Sequence, residues 1–197
     1  MTSSFLPMTK TDMQKRHWDE LDVLFISADA YVDHPSFAAA LLGRLLESKG
    51  YHVGIIAQPD WKDASALTVM GKPRLCCMIS GGNIDSMVAH YTSTRKKRSE
   101  DLYSPGGKAG FRPDRPTIVY SNLARQAFGD VPIIIGGLEA SLRRLAHYDY
   151  WQDLVRKPIL LDAKADLLSF GMGEHQCLEI VSRLDKGQKV SDMHDIQ

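Results

Sequence analysis

Five short apolar runs divide this chain, and each ends in glycine or in a polar cluster. They cover residues 21–27 (LDVLFIS), 53–57 (VGIIA), 75–80 (LCCMIS), 131–135 (VPIII) and 166–170 (DLLSF). Runs this short and this β-rich read as strands buried on both faces of a sheet. The stretches between them carry helical spacing. Residues 35–49 repeat Phe37, Leu41, Leu45 and Leu46 on one face, with Pro35 at the start and Gly50 at the end. Residues 84–91, 117–128, 138–146 and 174–184 also read as helices. Strands alternating with helices predict an α/β domain: an open, mostly parallel five-stranded sheet with helices on both faces. Such a sheet suits the flavodoxin-like strand order 2-1-3-4-5, although sequence alone does not carry the order.

Composition narrows the partners. Lys and Arg number 24, as do Asp and Glu, so the formal net charge is zero. Nothing global draws the chain to nucleic acid or to an anionic membrane. No apolar run approaches the roughly 18–20 residues of a membrane span. The first residues, MTSSFLPMTKTDMQKRHWDE, lack the apolar core of a secretory signal. Cys76, Cys77 and Cys177 are too few and too badly spaced for a disulfide framework or a zinc site. A cytoplasmic location is the expectation. Residues 1–20 read as an N-terminal extension, 21–185 as the α/β domain, and 186–197 as a polar, frayed tail or linker. Residues 92–116, with Arg95, Lys96, Lys97 and Arg98 and several prolines and glycines, form an unusually long loop.

Ligands of open α/β sheets bind beyond the carboxyl ends of the strands. Four loops follow strands in this way, and all are rich in glycine or polar residues. The first carries Asp29, Asp33 and His34. The second carries Gly81, Gly82, Asn83 and Asp85. The third carries Gly136, Gly137 and Glu139, with Arg143 and Arg144 just beyond. The fourth carries Gly171, Gly173 and Glu174. The opposite ends are short, plain turns. The candidate pocket therefore lies on the carboxyl edge, with Asp29, Asn83, Glu139 and Glu174 expected to line one concave site or one docking surface.

Each signal has a plainer reading. The glycine pairs suit close approach of a ligand to the backbone, but also a tight strand–helix corner. Neither GxGxxG nor GxxxxGK[ST] is present. Asp29, Asp33 and His34 are close in sequence, yet the loop offers fewer oxygen ligands than a hard cation uses, and no metal is expected there. Residues 147–151 (HYDYW) suit either a planar or anionic partner or an anchor for a connection. The basic run 95–98 suits phosphates or a solvated loop, and Arg112, Arg115 and Lys108 extend it without an aromatic platform for RNA. Nucleic acid is therefore not the expected partner. Cys76 and Cys77 sit within a strand, as inert buried cysteines do. Glu139 and Glu174 are acid–base candidates with no partner in sequence.

The stretches FLPMTKTDMQKRHWDELDVLFISADAYVDHPSF, SGGNIDSMVAHYTSTRKKRSEDLYSPGGKAGFRPDR and VPIIIGGLEASLRRLAHYDYW resemble the N-terminal region of the YgiQ family of radical S-adenosylmethionine (SAM) proteins. The Gly136-Gly137 turn and the Gly171-Met172-Gly173-Glu174 turn also resemble those of cobalamin-binding-like domains found in many radical SAM enzymes. The resemblance implies an accessory domain that shapes a substrate or cofactor pocket over a radical SAM barrel of the same parent chain, and that catalyses nothing alone. It implies a [4Fe–4S] cluster and SAM in the parent, acting on an unknown substrate. The cluster requires three thiolates, usually CxxxCxxC, and that motif is absent here. No cofactor is expected in this chain itself, which reads as truncated before the barrel. The alternative is a cofactor-binding module for cobalamin or a nucleotide, although no DxHxxG ligand motif is present.

Overall fold

The computed structural model describes residues 5–196. Five parallel strands form one sheet: β1 (Val23–Ser27), β2 (Val53–Ala57), β3 (Cys76–Ser80), β4 (Ile133–Gly136) and, after a two-stranded hairpin, β7 (Leu167–Leu168). The order β2-β1-β3-β4-β7 is the expected 2-1-3-4-5. The hairpin, β5 (His147–Asp149) with β6 (Leu154–Arg156), is antiparallel and separate from the main sheet.

Side chains alternate across a strand, so a strand buried on both faces feeds two cores. Leu24, Ile26, Cys77, Ile79, Ile133 and Ile135 enter one core with Tyr120, Leu123, Ala124 and Phe128 of α4 (Pro116–Phe128). Val23, Phe25, Cys76, Met78 and Ile134 enter the other, against α2 (Ala38–Glu47) and α7 (Glu174–Asp185). This division explains why the runs show no polar alternation.

Several boundaries moved. Pro35 does not open α2, whose N-cap is Phe37. Expected helix 84–91 shrinks to α3 (Ser86–His90), and 138–146 to α5 (Gly137–Leu142). A further short helix, α6 (Ile159–Asp162), precedes β7, and β7 pairs over only Leu167 and Leu168. The N-terminal extension carries structure of its own. It forms α1 (Lys10–Lys15), closed by a capping box between Thr9 and Asp12, and buries Leu6 and Met13. The tail is not simply frayed: Met193 is buried, Ile196 packs on the second core, and Arg183 pairs with Asp195. No helix among the described residues is long and apolar enough to cross a membrane.

Candidate functional site

At the carboxyl ends of β1, β3, β4 and β7, between the sheet and helices α2 and α7, lies a cavity of about 230 Å³. Its floor is apolar: Phe25, Met78 and Ile134, with Leu41 and Leu42 of α2 and Cys177 of α7 alongside. The rim is polar and glycine-rich, and includes Ser80, Asn83, Gly136, Gly137, Ser169, Gly173 and Glu174. Gly137 has φ +81°, and a Cβ there would stand 2.7 Å from the Ser80 hydroxyl, so this turn accepts only glycine without strain. The loops carrying Asn83, Gly136, Gly137, Gly173 and Glu174 therefore meet at one cavity, as the rule for parallel sheets requires.

The remaining candidates lie elsewhere. Asp29 is buried beneath the 92–116 loop rather than facing the cavity. One of its oxygens accepts from the Asn83 N–H at 2.7 Å and the other from Arg112 at 3.2 Å. Arg112, fully buried, forms a two-pronged pair with Asp101 at 2.7 and 2.5 Å. The loop is further tied down where the Ala30 N–H donates to the Tyr103 carbonyl at 2.8 Å, and Gln58 donates to Ser104 at 2.7 Å. Burial pushes the Asp29 carboxyl up to about 6, against the lowering effect of the Asn83 N–H and of Arg112. Burial also acts on Asp101, but its bonds from Arg112, the Tyr103 N–H and Ser104 prevail and hold it below the usual range. Gly82, at φ +93°, is needed because any Cβ there would collide with the Asp29 carboxylate.

Asp33 is clamped by Arg44 at 2.5 and 3.2 Å, and that bond is the main cause of its lowered pKa. His34 Nδ1 accepts from the Ser36 N–H at 3.1 Å. Asp29, Asp33 and His34 thus serve three separate partners rather than one cation. Glu139 does not line the cavity: it is completely buried, and its two oxygens accept from the N–H groups of Ser86 at 3.1 Å and Thr117 at 3.2 Å. A carboxylate there complements two helix starts, α3 and α4, at once. Gly81 is small because a side chain would press on Glu139 and Thr117. Asp85 caps α3 and pairs with Arg143. Arg144 lies over the Phe170 ring at 5.3 Å and donates to the Ser141 carbonyl. Asn83 and Glu174 thus line the cavity while Asp29 and Glu139 do not, so the four do not share one concave site. Two of these carboxylates are structural staples, because burying them unpaired would cost more than the fold can bear.

The 147–151 segment is an anchor. Asp149 pairs with Arg115 at 2.6 Å and caps the following turn, and Arg95 donates to the Tyr150 carbonyl at 2.6 Å while stacking on its ring. Arg95, Arg112 and Arg115 thus each have partners within the chain. Sequence reasoning took Arg112 only as part of a basic run, and missed its buried pairing, Asp101 and the apolar floor. Arg112 carries no local signal, being one more basic residue in a polar loop. The floor was legible only as strand core.

The cysteines do not fit an iron–sulfur ligand set. Cys76 and Cys77 are adjacent in β3 and point into opposite cores, and Cys177 sits on α7. Burial pushes Cys77 and Cys177 up to about 12 and Cys76 well above its ordinary value, so none is poised as a thiolate. No group of three or more metal-ligating side chains occurs among the described residues.

A five-stranded parallel sheet with helices on both faces and its glycine turns gathered at one edge defines an open α/β domain. The chain belongs to the family described as Radical SAM N-terminal, whose profile matches residues 5–197. It is 53% identical over 193 residues to a UPF0313 protein of Rhodopseudomonas palustris, covering 98% of this chain and 28% of that protein. A UPF0313 protein of Geobacter sulfurreducens is 54% identical over 194 residues, 98% of this chain and 32% of its own length. A third, from Clostridium botulinum, is 53% identical, with 30% of its length covered. The chain thus spans about 30% of the length of these relatives. No solved structure matches it.

Proposed function

We propose that this chain is the N-terminal accessory domain of a radical SAM iron–sulfur protein, and that its carboxyl edge docks on the catalytic domain of the longer parent. There it walls part of the substrate or cofactor pocket. The [4Fe–4S] cluster and SAM belong to that other domain, a barrel in the radical SAM reading, and this chain catalyses no reaction by itself. The observation that carries this reading is an apolar surface beside the cavity. Leu138, Leu142 and Leu145 recur at helical spacing on and just beyond α5, and all three are exposed. Phe170 is exposed beneath Arg144, and Met172, on the cavity rim, is 82% exposed. Grouped exposed apolar residues of this kind mark interaction surfaces. Hydrogen exchange tests it. Backbone amides of residues 138–145 and 170–173 should exchange more slowly in the full-length parent than in this chain alone. Equal exchange in both would remove the docking reading.

A second reading, a cofactor module for cobalamin or a nucleotide, is supported by the cavity itself. At about 230 Å³ it suits one flat apolar group, with the rest of a large ligand outside. Titration of this chain with hydroxocobalamin separates the two. The docking reading expects an unchanged visible spectrum. The cofactor reading expects a saturable change that Gly137→Val abolishes.

A further inference from the structure

A basic turn and an aromatic cluster meet on the surface, and none of their residues lines the carboxyl-edge cavity. Residues 91–97 close on themselves. Tyr91 and Lys97 face each other across an antiparallel bridge, and the Thr92 N–H donates to the Lys96 carbonyl at 2.8 Å. The Arg98 N–H donates to the His90 carbonyl at 2.7 Å, and the Arg98 Nε to the Tyr91 carbonyl at 3.1 Å. The turn so fixed presents Arg95, Lys96, Lys97 and Arg98 in succession, all exposed. Lys96, Lys97 and Arg98 join no ion pair among the described residues. Glu100, just beyond, faces Lys108 across a second antiparallel bridge.

In sequence this basic run has no aromatic platform. The fold supplies one by bringing Tyr150 to Arg95 across 55 positions. The Arg95 guanidinium lies 4.4 Å from the centre of the Tyr150 ring, and the Tyr150 hydroxyl donates to the Ser93 carbonyl at 3.0 Å. The Trp151 ring lies 5.4 Å from that of Tyr150 and 5.0 Å from that of Tyr91, centre to centre. Tyr148, two positions before Tyr150, donates its hydroxyl to Asp153 at 2.5 Å. These contacts anchor the loop, yet they leave the rings in solvent. Tyr148 and Tyr150 are 58% and 48% exposed, and Tyr91 and Trp151 are half-buried. A purely structural anchor buries the apolar body of its rings.

We propose that this surface binds single-stranded RNA. Unpaired bases stack on Tyr148, Tyr150 and Trp151, while the phosphates run along Lys96, Lys97 and Arg98. Every nucleotide offers one flat face and one negative charge, so rings beside cations match both halves of the ligand. A duplex is disfavoured because its bases are stacked on one another and closed to the rings. RNA is favoured over DNA because its loops and bulges hold bases splayed out for such stacking. An acidic peptide matches the cations but leaves the rings uncovered. Two carboxylates border the rings, Asp114 and Asp153; each accepts a tyrosine hydroxyl, and the four cations of the turn outnumber them. The proposal holds whether or not the carboxyl edge docks on a second domain.

The test is fluorescence anisotropy of a short, labelled single-stranded RNA titrated with this chain, beside the same sequence as DNA, a poly-glutamate peptide and a heparin fragment. The RNA should bind saturably, at least as tightly as the DNA and more tightly than the peptide or heparin. Tyr148→Leu/Tyr150→Leu keeps apolar bulk but removes the flat rings, and should weaken RNA binding about tenfold or more. Tyr148→Phe/Tyr150→Phe keeps the rings and should bind like the wild type. Lys96→Ala/Lys97→Ala alters only exposed side chains. It should reduce the slope of log affinity against log salt by about 1.4, the value for two phosphate contacts. Absence of RNA binding would overturn the proposal, as would heparin, peptide or DNA binding more tightly than RNA. So would a leucine pair that binds like the wild type, a phenylalanine pair that does not bind, or a salt slope unmoved by the lysine pair.

Discussion

On the β1–β3 half of the carboxyl edge, polar groups are buried and paired. On the β4–β7 half, apolar groups stand open. Asp29, Arg112 and Asp101 lie sealed under the 92–116 loop, each bonded to another. Across the same edge, beyond β4 and β7, Leu142, Leu145 and Met172 face outward. One sheet thus carries a finished half and an unfinished half. In the proposed docking, the open half is the one that meets the partner. Buried charges demand closure from within the domain, since an unpaired one would unfold it. Exposed apolar surface tolerates waiting for a second body.

The comparison breaks most readily at Arg112. Arg112→Ala would leave two buried carboxylates without their cation and should cost about 3–5 kcal/mol of unfolding free energy. Urea denaturation at neutral pH measures it. A loss below about 1 kcal/mol, the scale of an exposed pair, would mean that the closed half is held by the loop backbone and not by its charges.

A smaller effect concerns Asp29. Its carboxyl titrates near 6 in the folded chain, against an ordinary value of 3.8. Between these, the unfolded chain releases the proton while the folded chain keeps it. The contribution of this group to stability is therefore fully present below about pH 4 and is lost as pH rises through about 6, amounting to roughly 3 kcal/mol at most. Asp29→Asn should flatten the pH dependence of stability across that window. An unchanged slope between wild type and variant would show that Asp29 is as well solvated as an ordinary carboxylate, and the sealed half would then be open.

Much of the fold was legible. Continuous apolar runs such as residues 75–80 announced strands with two buried faces, and burial of Cys76 and Cys77 in opposite cores bears this out. The glycine pair at Gly136-Gly137 marked a strand–helix corner on the binding edge, and the structure puts it on the cavity rim. The short elements were not legible. Residues 143–146 continue the helical pattern of α5 but leave the helix, because the chain there turns into the β5–β6 hairpin. α1 is signalled only by Thr9 and Asp12, a capping box too local to stand out.

The site divides in the same way. The sequence by itself determined that polar and glycine-rich loops would gather at the carboxyl ends of the strands, because strand direction in a parallel sheet puts every strand–helix turn at one edge. Only the tertiary structure decided which of those residues face a cavity. Asp29 meets Arg112 across 83 positions and Glu139 meets Ser86 across 53, and such pairings depend on which loop folds over which edge. A carboxylate in a strand-end loop looks the same in sequence whether it will bind a ligand or staple a helix. Burial and partner, both products of long-range packing, settle the difference.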